Sequence, residues 1–429
     1  MAEKVSLKYN FDDRPALYII FLQGLQWLVL ILPPLVIVAS TIAKLDNFSY
    51  SEEVNFLAKI FLISGIFQIL QLKFGHKLPL LVGPSTALML GFVLNPGASL
   101  EEISFASISV GIFILILAKS NIIRRFSILQ SKGVTVSVLL LIGISLIPIS
   151  ISLTLSSVPF TSTENIIFIL ILSIITIFFS KQSFPLSKFS IFFFMSISSI
   201  IFLIFIKPIH TEPVLSANLF SLQMPKFDPV ITISFLFCYL GVVINEIGST
   251  QSLFGVLNIP PSLEKTNKGI LFDAISGIFS GIFGSVGTVS YSLTPALIVM
   301  TQNASKYSFY LVGLIFILAS LYPTLVGIFV QIPTQVIAAS LLVVGYIQIE
   351  AAIKLSKSEK GYHSLHIGLI SFLGYLIIPY IFEKVVIILP ELNILSGLFL
   401  NGFSAGLLSA IIAEIIYKIF NRAQGIQLK

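Results

Sequence analysis

The chain has 429 residues, 56% of them hydrophobic and 10% charged, with a mean hydropathy of +1.02 and a formal charge of +6. A soluble chain of this size carries roughly a quarter charged residues, and here too little polar sequence exists to cover a large buried core. A soluble globular protein is therefore excluded, and the single cysteine, Cys238, excludes an internal disulfide.

The first fifteen residues, MAEKVSLKYNFDDRP, are polar and lack the apolar region of a cleaved signal, so Leu17 onward reads as a retained span. Apolar runs then follow at 17–43, 55–72, 78–94, 101–118, 128–150, 165–180, 189–206, 229–252, 269–286, 290–301, 307–328, 333–353, 364–382 and 393–417. Many of them approach the length of about 17–25 residues that crosses a bilayer core. The pattern predicts an all-α polytopic membrane protein of about fourteen transmembrane segments.

Alternating sides from a cytoplasmic N-terminus places most Lys and Arg inside. The inside connections hold Lys73, Lys77, Lys119, Arg124, Arg125, Lys181, Lys188, Lys265, Lys268, Lys306, Lys354, Lys357 and Lys360. The two tails add Lys4, Lys8, Arg14, Lys418, Arg422 and Lys429. The outside set holds only Lys44, Lys59, Lys207, Lys226 and Lys384, and its first loops are acidic, with Asp46, Glu52, Glu53, Glu101 and Glu102. This bias predicts cytoplasmic termini in the cell membrane and an even number of spans.

Two segments break the pattern, LPLLVGPSTALMLGF at 78–92 and GSVGTVSYSLTPALIVMTQNAS at 284–305. Each has a β-compatible run, then small residues, then a proline, then an apolar helical stretch. The reading is a half-helix that starts at membrane depth after an extended lead-in, with Gly83 and Thr294 as N-caps and Pro84 and Pro295 at the first helical positions. Irregular backbone at that depth is tolerated only where protein buries it or a cavity solvates it. Paired interruptions in the two halves mark the binding site of a transporter. They are the third and tenth spans, which match in a seven-plus-seven chain whose second copy is inverted. The half-helix N-termini would then face one another and present N–H groups to a substrate. Ser85, Thr86, Tyr291, Ser292, Leu293 and Thr294 are the candidate substrate contacts.

Glu246, in FCYLGVVINEIGSTQSLFGVL, is the deepest carboxylate, with Asn245, Ser249, Thr250 and Gln251 around it. An intramembrane carboxylate is costly and marks function, so Glu246 is a candidate for the substrate and for a coupling ion. Asp273, about a turn inside the ninth span, is a second candidate coupling-ion residue or a first-turn helix charge. Glu414 lies near the cytoplasmic end of the last span and is read as snorkelling to the interface. Gly277, Gly281 and Gly284 form a small-residue face that signals helix packing. GFSAG at 402–406 matches the nucleophile elbow of hydrolases, but that motif needs a strand-to-helix turn, and here it sits in an apolar span. No metal site, cofactor, P-loop or nucleic acid partner is expected, and the chain is read as a transporter, not an enzyme.

These residues resemble the uracil–xanthine permeases, or nucleobase–ascorbate transporters, over nearly the whole length. The matching stretches are FLQGLQWLVLILPPLVIV, GHKLPLLVGPSTALML, GVTVSVLLLIGISLI, NEIGSTQSLFGVLNIPP, residues 267–305, and IPTQVIAASLLVVGYIQI. The resemblance implies a seven-plus-seven inverted repeat with a core domain of residues 17–120 and 229–328 and a gate domain of residues 121–207 and 329–417. Residues 1–16 and 418–429 would be cytoplasmic tails and 208–228 an extracellular connection. It further implies import of a nucleobase with protons or sodium, by movement of core against gate, often as a homodimer. Glu246 matches the eighth-span glutamate that typically binds the base.

The chain departs from that pattern in the tenth span. Many members place a carboxylate and then Asn shortly after the tyrosine corresponding to Tyr291, and here those positions are Leu293 and Thr294. The alternative is a sulfate-permease-like anion transporter on the same fold, which a helix start without an acid suits. Against it stand Glu246, which would repel an anion, and the short sequence after the last span.

Overall fold

Local sequence sets several helix starts. Ser49 with Glu52, Ser99 with Glu102 and Thr161 with Glu164 form capping boxes that begin three helices, each satisfying free backbone N–H groups at the first turn. Glu52, Glu53, Glu101 and Glu102, read above as loop charges, are therefore first-turn helix residues. Asp228 caps a fourth helix through Ile231 N at 2.9 Å, with Pro229 at its first position.

The structure is a computed structural model that describes residues 7–120, 131–155, 161–183, 187, 189–205, 218–357 and 363–423. In chain order the elements are α1 (Leu17–Leu45), α2 (Tyr50–Lys73), β1 (Val82–Pro84), α3 (Thr86–Val93), α4 (Leu100–Lys119), α5 (Lys132–Leu155), α6 (Ser162–Ser180) and α7 (Ser190–Phe205). They continue with α8 (Pro229–Leu257), α9 (Leu263–Phe283), β2 (Thr288–Ser290), α10 (Thr294–Thr301), α11 (Lys306–Ser320) and α12 (Pro323–Val330). The last are α13 (Thr334–Lys357), α14 (His363–Ile388), α15 (Ser396–Phe399) and α16 (Gly402–Ala423).

Among the described residues, nine helices are long and apolar enough to cross a membrane. The run predicted as one span at 307–328 is instead α11 and α12, bent by 96° where Pro323 begins a new helix. The run at 393–417 opens with the end of a 3₁₀ turn, Pro390–Leu395, and the short α15 before α16 begins at Gly402. The first difference follows from a proline that cannot extend the preceding helix. Arg124, Arg125, Lys188, Lys207, Lys360, Lys4 and Lys429, on which part of the charge count rests, lie outside the described residues.

Helix α2 packs on α11 and α4 on α9, while α5 packs on α13 and α14. These contacts are close because small residues face each other: a Cβ on Gly65 would stand 2.6 Å from Gly313 O, and one on Gly143 2.7 Å from Gly345 O. On the small-residue face of α9, Ser104 Oγ donates to Gly281 O at 2.7 Å and Ser107 Oγ to Gly277 O at 3.0 Å. Interhelical hydrogen bonds of this kind contribute about 0.6–2 kcal/mol each in a membrane.

Segments read from sequence as a tail and a plain link are stitched to the helices. Residues of the N-terminal stretch pair with the α10–α11 turn, through Lys8 N to Gln302 O (2.8 Å) and Ala304 N to Tyr9 O (2.9 Å). The described part of the second-half connection, residues 218–228, is held by buried Lys59, whose Nζ donates to Ser221 Oγ (2.7 Å) and to Phe283 O (2.8 Å) at the end of α9. A cation at a helix C-terminus is favourable. Glu414 is buried and hydrogen-bonded to His363 at 2.9 Å, so it does not snorkel.

Candidate functional site

The two interrupted segments meet as an antiparallel strand pair, with Val82 opposite Ser290, Gly83 opposite Val289 and Pro84 opposite Thr288. Ser85 N to Gly287 O (2.9 Å) and Tyr291 N to Leu81 O (2.8 Å) extend the pairing at its ends. Each strand runs into a helix of eight residues, α3 or α10. The extended lead-ins and half-helices expected from sequence are present.

The caps differ from the expectation. Pro84 belongs to β1, and Ser85 caps α3 by accepting from Leu88 N at 3.3 Å. Gly83 is not a cap. A Cβ there would lie 2.6 Å from Tyr291 Oη, whose hydroxyl donates to Pro84 O at 3.1 Å, so the glycine admits the tyrosine across the strands. In the second half the cap position is Leu293, which has no oxygen to offer. Thr294 is the first helical residue, fully buried, and its Oγ1 accepts from Leu81 N at 3.2 Å. It fastens one segment to the other and has no face on the cavity.

A cavity of about 160 Å³ lies against both half-helix starts. Ser85, Thr86, Tyr291, Ser292 and Leu293 line it, and Leu293 is 54% exposed. Its remaining walls come from α1, α5, α7, α8 and α13. Two further polar residues complete it, Asn245 of α8, read from sequence only as a polar partner of Glu246, and Gln348 of α13, which sequence reading missed. Among the described residues no Lys, Arg, Asp or Glu lines it. Gln348, one of two glutamines within the apolar run 333–353, was the available signal.

Glu246 does not line the cavity. Successive side chains on a helix diverge by about 100°, so with Asn245 facing the cavity Glu246 turns behind β2. There it is fully buried and its Oε2 accepts from Ser290 N at 3.3 Å. Asp273 is also buried behind the strands, and its Oδ1 accepts from Gln71 Nε2 at 2.9 Å. Gly83, Pro84, Thr294 and Pro295 likewise shape the backbone without lining the cavity. The same buried layer holds Gln68, which accepts from Val82 N (2.8 Å) and donates to Leu80 O (3.1 Å). In the loop between α2 and β1, burial together with Lys265 pushes the His76 imidazole down to about 3, and its Nδ1 accepts from Leu78 N at 2.9 Å, as a neutral ring does. The GFSAG sequence forms the first turn of α16, with Ser404 N on Asn401 Oδ1 at 3.2 Å, and no strand precedes it.

Comparison with known proteins agrees with this architecture. The solved transmembrane domain of the cyanobacterial bicarbonate transporter BicA is similar in fold, with a TM-score of 0.60, 14% identity, and coverage of 92% of this chain and 96% of that one. In sequence, a Clostridium perfringens protein named as a purine permease is 24% identical over 438 residues, covering 97% of this chain and 94% of its own length. The xanthine permease of Bacillus subtilis is 22% identical over 401 residues, covering 88% of this chain and 89% of that protein. Residues 19–383 match the model of a permease family, Xan_ur_permease. That match takes in both half-helices, and the chain is a multi-pass membrane transporter belonging to this permease family.

Proposed function

We propose that the chain carries an uncharged nucleobase of the uracil or xanthine kind across the cell membrane, coupled to protons or sodium. The observation that carries this reading is the cavity itself, which has no charged side chain and sets two carboxamides, Asn245 and Gln348, among hydroxyls and aromatic rings. A carboxamide offers a donor and an acceptor together, which complements the amide edge of a base. Phe189, Phe192 and Tyr291 add aromatic faces on which a flat ring stacks. Asn245, Gln348, Ser85, Thr86 and Ser292 are the proposed substrate contacts, with Leu293 closing the rim. The purine and xanthine permeases among its relatives favour the same substrate class.

The proposed architecture is fourteen segments in two inverted sets of seven. The antiparallel strand pair supports it, as does the exchange symmetry of the packing: α2 on α11 in one place, α4 on α9 in the other. Residues 17–120 and 229–328 form the core, and residues 121–207 and 329–417 form the gate that moves against it. The cavity draws its walls from both sets. Both termini are cytoplasmic in this reading, following the Lys/Arg bias, and the unit in the membrane is a homodimer.

The second reading is an inorganic or organic anion, favoured by the likeness in fold to a bicarbonate transporter and by two helix starts at one cavity. A thermal-shift panel on purified protein separates the two, using uracil, xanthine, hypoxanthine, adenine, sulfate and bicarbonate. A ligand at 100 times its Kd stabilises by about 2.7 kcal/mol. Stabilisation by a base is expected, and stabilisation by the anions alone overturns the proposal.

A further inference from the structure

The sequence LPPLV puts Pro33 and Pro34 side by side in the middle of α1, which continues unbroken from Leu17 to Leu45. A helical proline has no N–H for the carbonyl four residues earlier, and its ring presses against that carbonyl. Pro33 therefore leaves Val29 O without its regular partner, and Pro34 does the same to Leu30 O. The tandem also removes the next nearest donors. The residue five places after Val29 is Pro34, and the residue three places after Leu30 is Pro33. One proline suffices to bend a helix, so a bend needs no second one. Among the described residues no loop N–H and no side chain donates to either carbonyl.

Their position on α1 decides what the two oxygens meet. A helical carbonyl points along the axis toward the residue four places on, so its oxygen lies in the strip between those two side chains. Val29, Leu30, Pro33 and Pro34 all line the cavity, and Ile37 and Val38 continue the same stripe. Both oxygens thus lie in the strip of α1 that borders the cavity. An unpaired carbonyl is costly at membrane depth and is tolerated only where protein or a water-filled cavity serves it. We propose that Val29 O and Leu30 O are a substrate-binding element that accepts hydrogen bonds from ring N–H groups of the bound molecule; this rests on the reading of the cavity as a nucleobase site.

The assignment supplies what the side chains of the cavity are short of. A base of the uracil or xanthine kind carries ring N–H donors as well as carbonyl acceptors. The starts of α3 and α10 offer backbone donors. Acceptors are scarcer: among the described residues no carboxylate lines the cavity, and Leu293, at the cap position of α10, has no side-chain oxygen. Two carbonyls held by a helix cannot swing away or change charge. They favour a ring with N–H groups at that wall, reject one whose nitrogen there is methylated, and repel an anion.

The test is isothermal titration of the wild type, Pro33→Ala, Pro34→Ala and the double variant with xanthine, uracil and their ring-N-methylated forms. Alanine restores an N–H that occupies the freed carbonyl, and it suits a helix interior better than proline. Melting of the ligand-free variants is therefore expected to hold or rise, while affinity for the base falls roughly 5–10-fold per restored N–H. The form methylated at the nitrogen facing α1 is expected to bind the wild type weakly and to lose little more in the double variant. Equal affinity of wild type and double variant for the base overturns the inference and leaves the nucleobase reading standing. An equal loss for the base and for every methylated form does the same, because a mere bend in α1 would act on all of them alike. A wild type that binds neither base overturns the nucleobase reading and the inference with it. Should the variants fail to fold, the methylated forms decide on the wild type alone, and methylation of each ring nitrogen without loss of affinity overturns the inference.

Discussion

The two strand–helix junctions share a geometry and differ in what stands behind them. Behind β1, Gln68 holds Val82 N and Leu80 O at once, and neither hydrogen bond changes with pH. Behind β2, the corresponding support of Ser290 N is Glu246, a fully buried acid. The caps differ in the same sense. Ser85 satisfies a backbone N–H of α3 with its own hydroxyl, whereas Leu293 leaves α10 without a side-chain cap. One junction is backed by a neutral, fully bonded amide, and the other by a buried acid. Two half-helices that meet at one strand pair thus differ in what supports them.

Substitutions can break this comparison, beginning with the neutral amide. Gln68→Leu leaves a buried N–H and a buried carbonyl without partners, at about 1–3 kcal/mol each. A large fall in melting temperature is expected at every pH, and a fall confined to one pH range would show that β1 is not the neutral side. Asn245→Ala acts on the other junction and removes a carboxamide from the cavity. A site built to hydrogen-bond its ligand then loses about 1.4–2.8 kcal/mol, roughly 10–100-fold in affinity, with little change in melting of the ligand-free protein. Isothermal titration with the base found in the panel reads this directly, and unchanged affinity would remove Asn245 from the site.

Gly83→Ala tests the contact that joins the two junctions. The new methyl meets Tyr291 Oη, and overpacking of this kind costs about 1–3 kcal/mol. Pairing it with Tyr291→Phe should recover part of the loss in a thermal melt, because the closest atom is then gone. The smallest effect is expected of Thr294→Val, which removes one buried hydrogen bond to Leu81 N for about 1 kcal/mol. Ligand affinity should stay within error, and a marked loss of binding would return Thr294 to the cavity wall.

Much of the site's location was legible in the residues. The clusters GPST and SYSLTP declared two breaks because long apolar runs do not otherwise tolerate glycine, hydroxyl residues and proline together. The caps were less legible. Proline suits both the end of a strand and the first turn of a helix, so Gly83–Pro84 read as a helix start when it closes a strand. The 96° bend between α11 and α12 was hidden in a continuous apolar run, and only Pro323 hinted at it.

Composition and pattern alone determined that the chain lives in a bilayer and where its interruptions fall. They did not determine which face of α8 meets the cavity. A soluble helix announces its buried face by the period of its apolar residues, but a membrane helix buried in protein and lipid is apolar all round. Glu246 drew attention because charge is rare there, yet its neighbour Asn245 holds the cavity position. That choice of one residue over the next was made by the packing of α8 against β2 and α9, which only the tertiary structure contains.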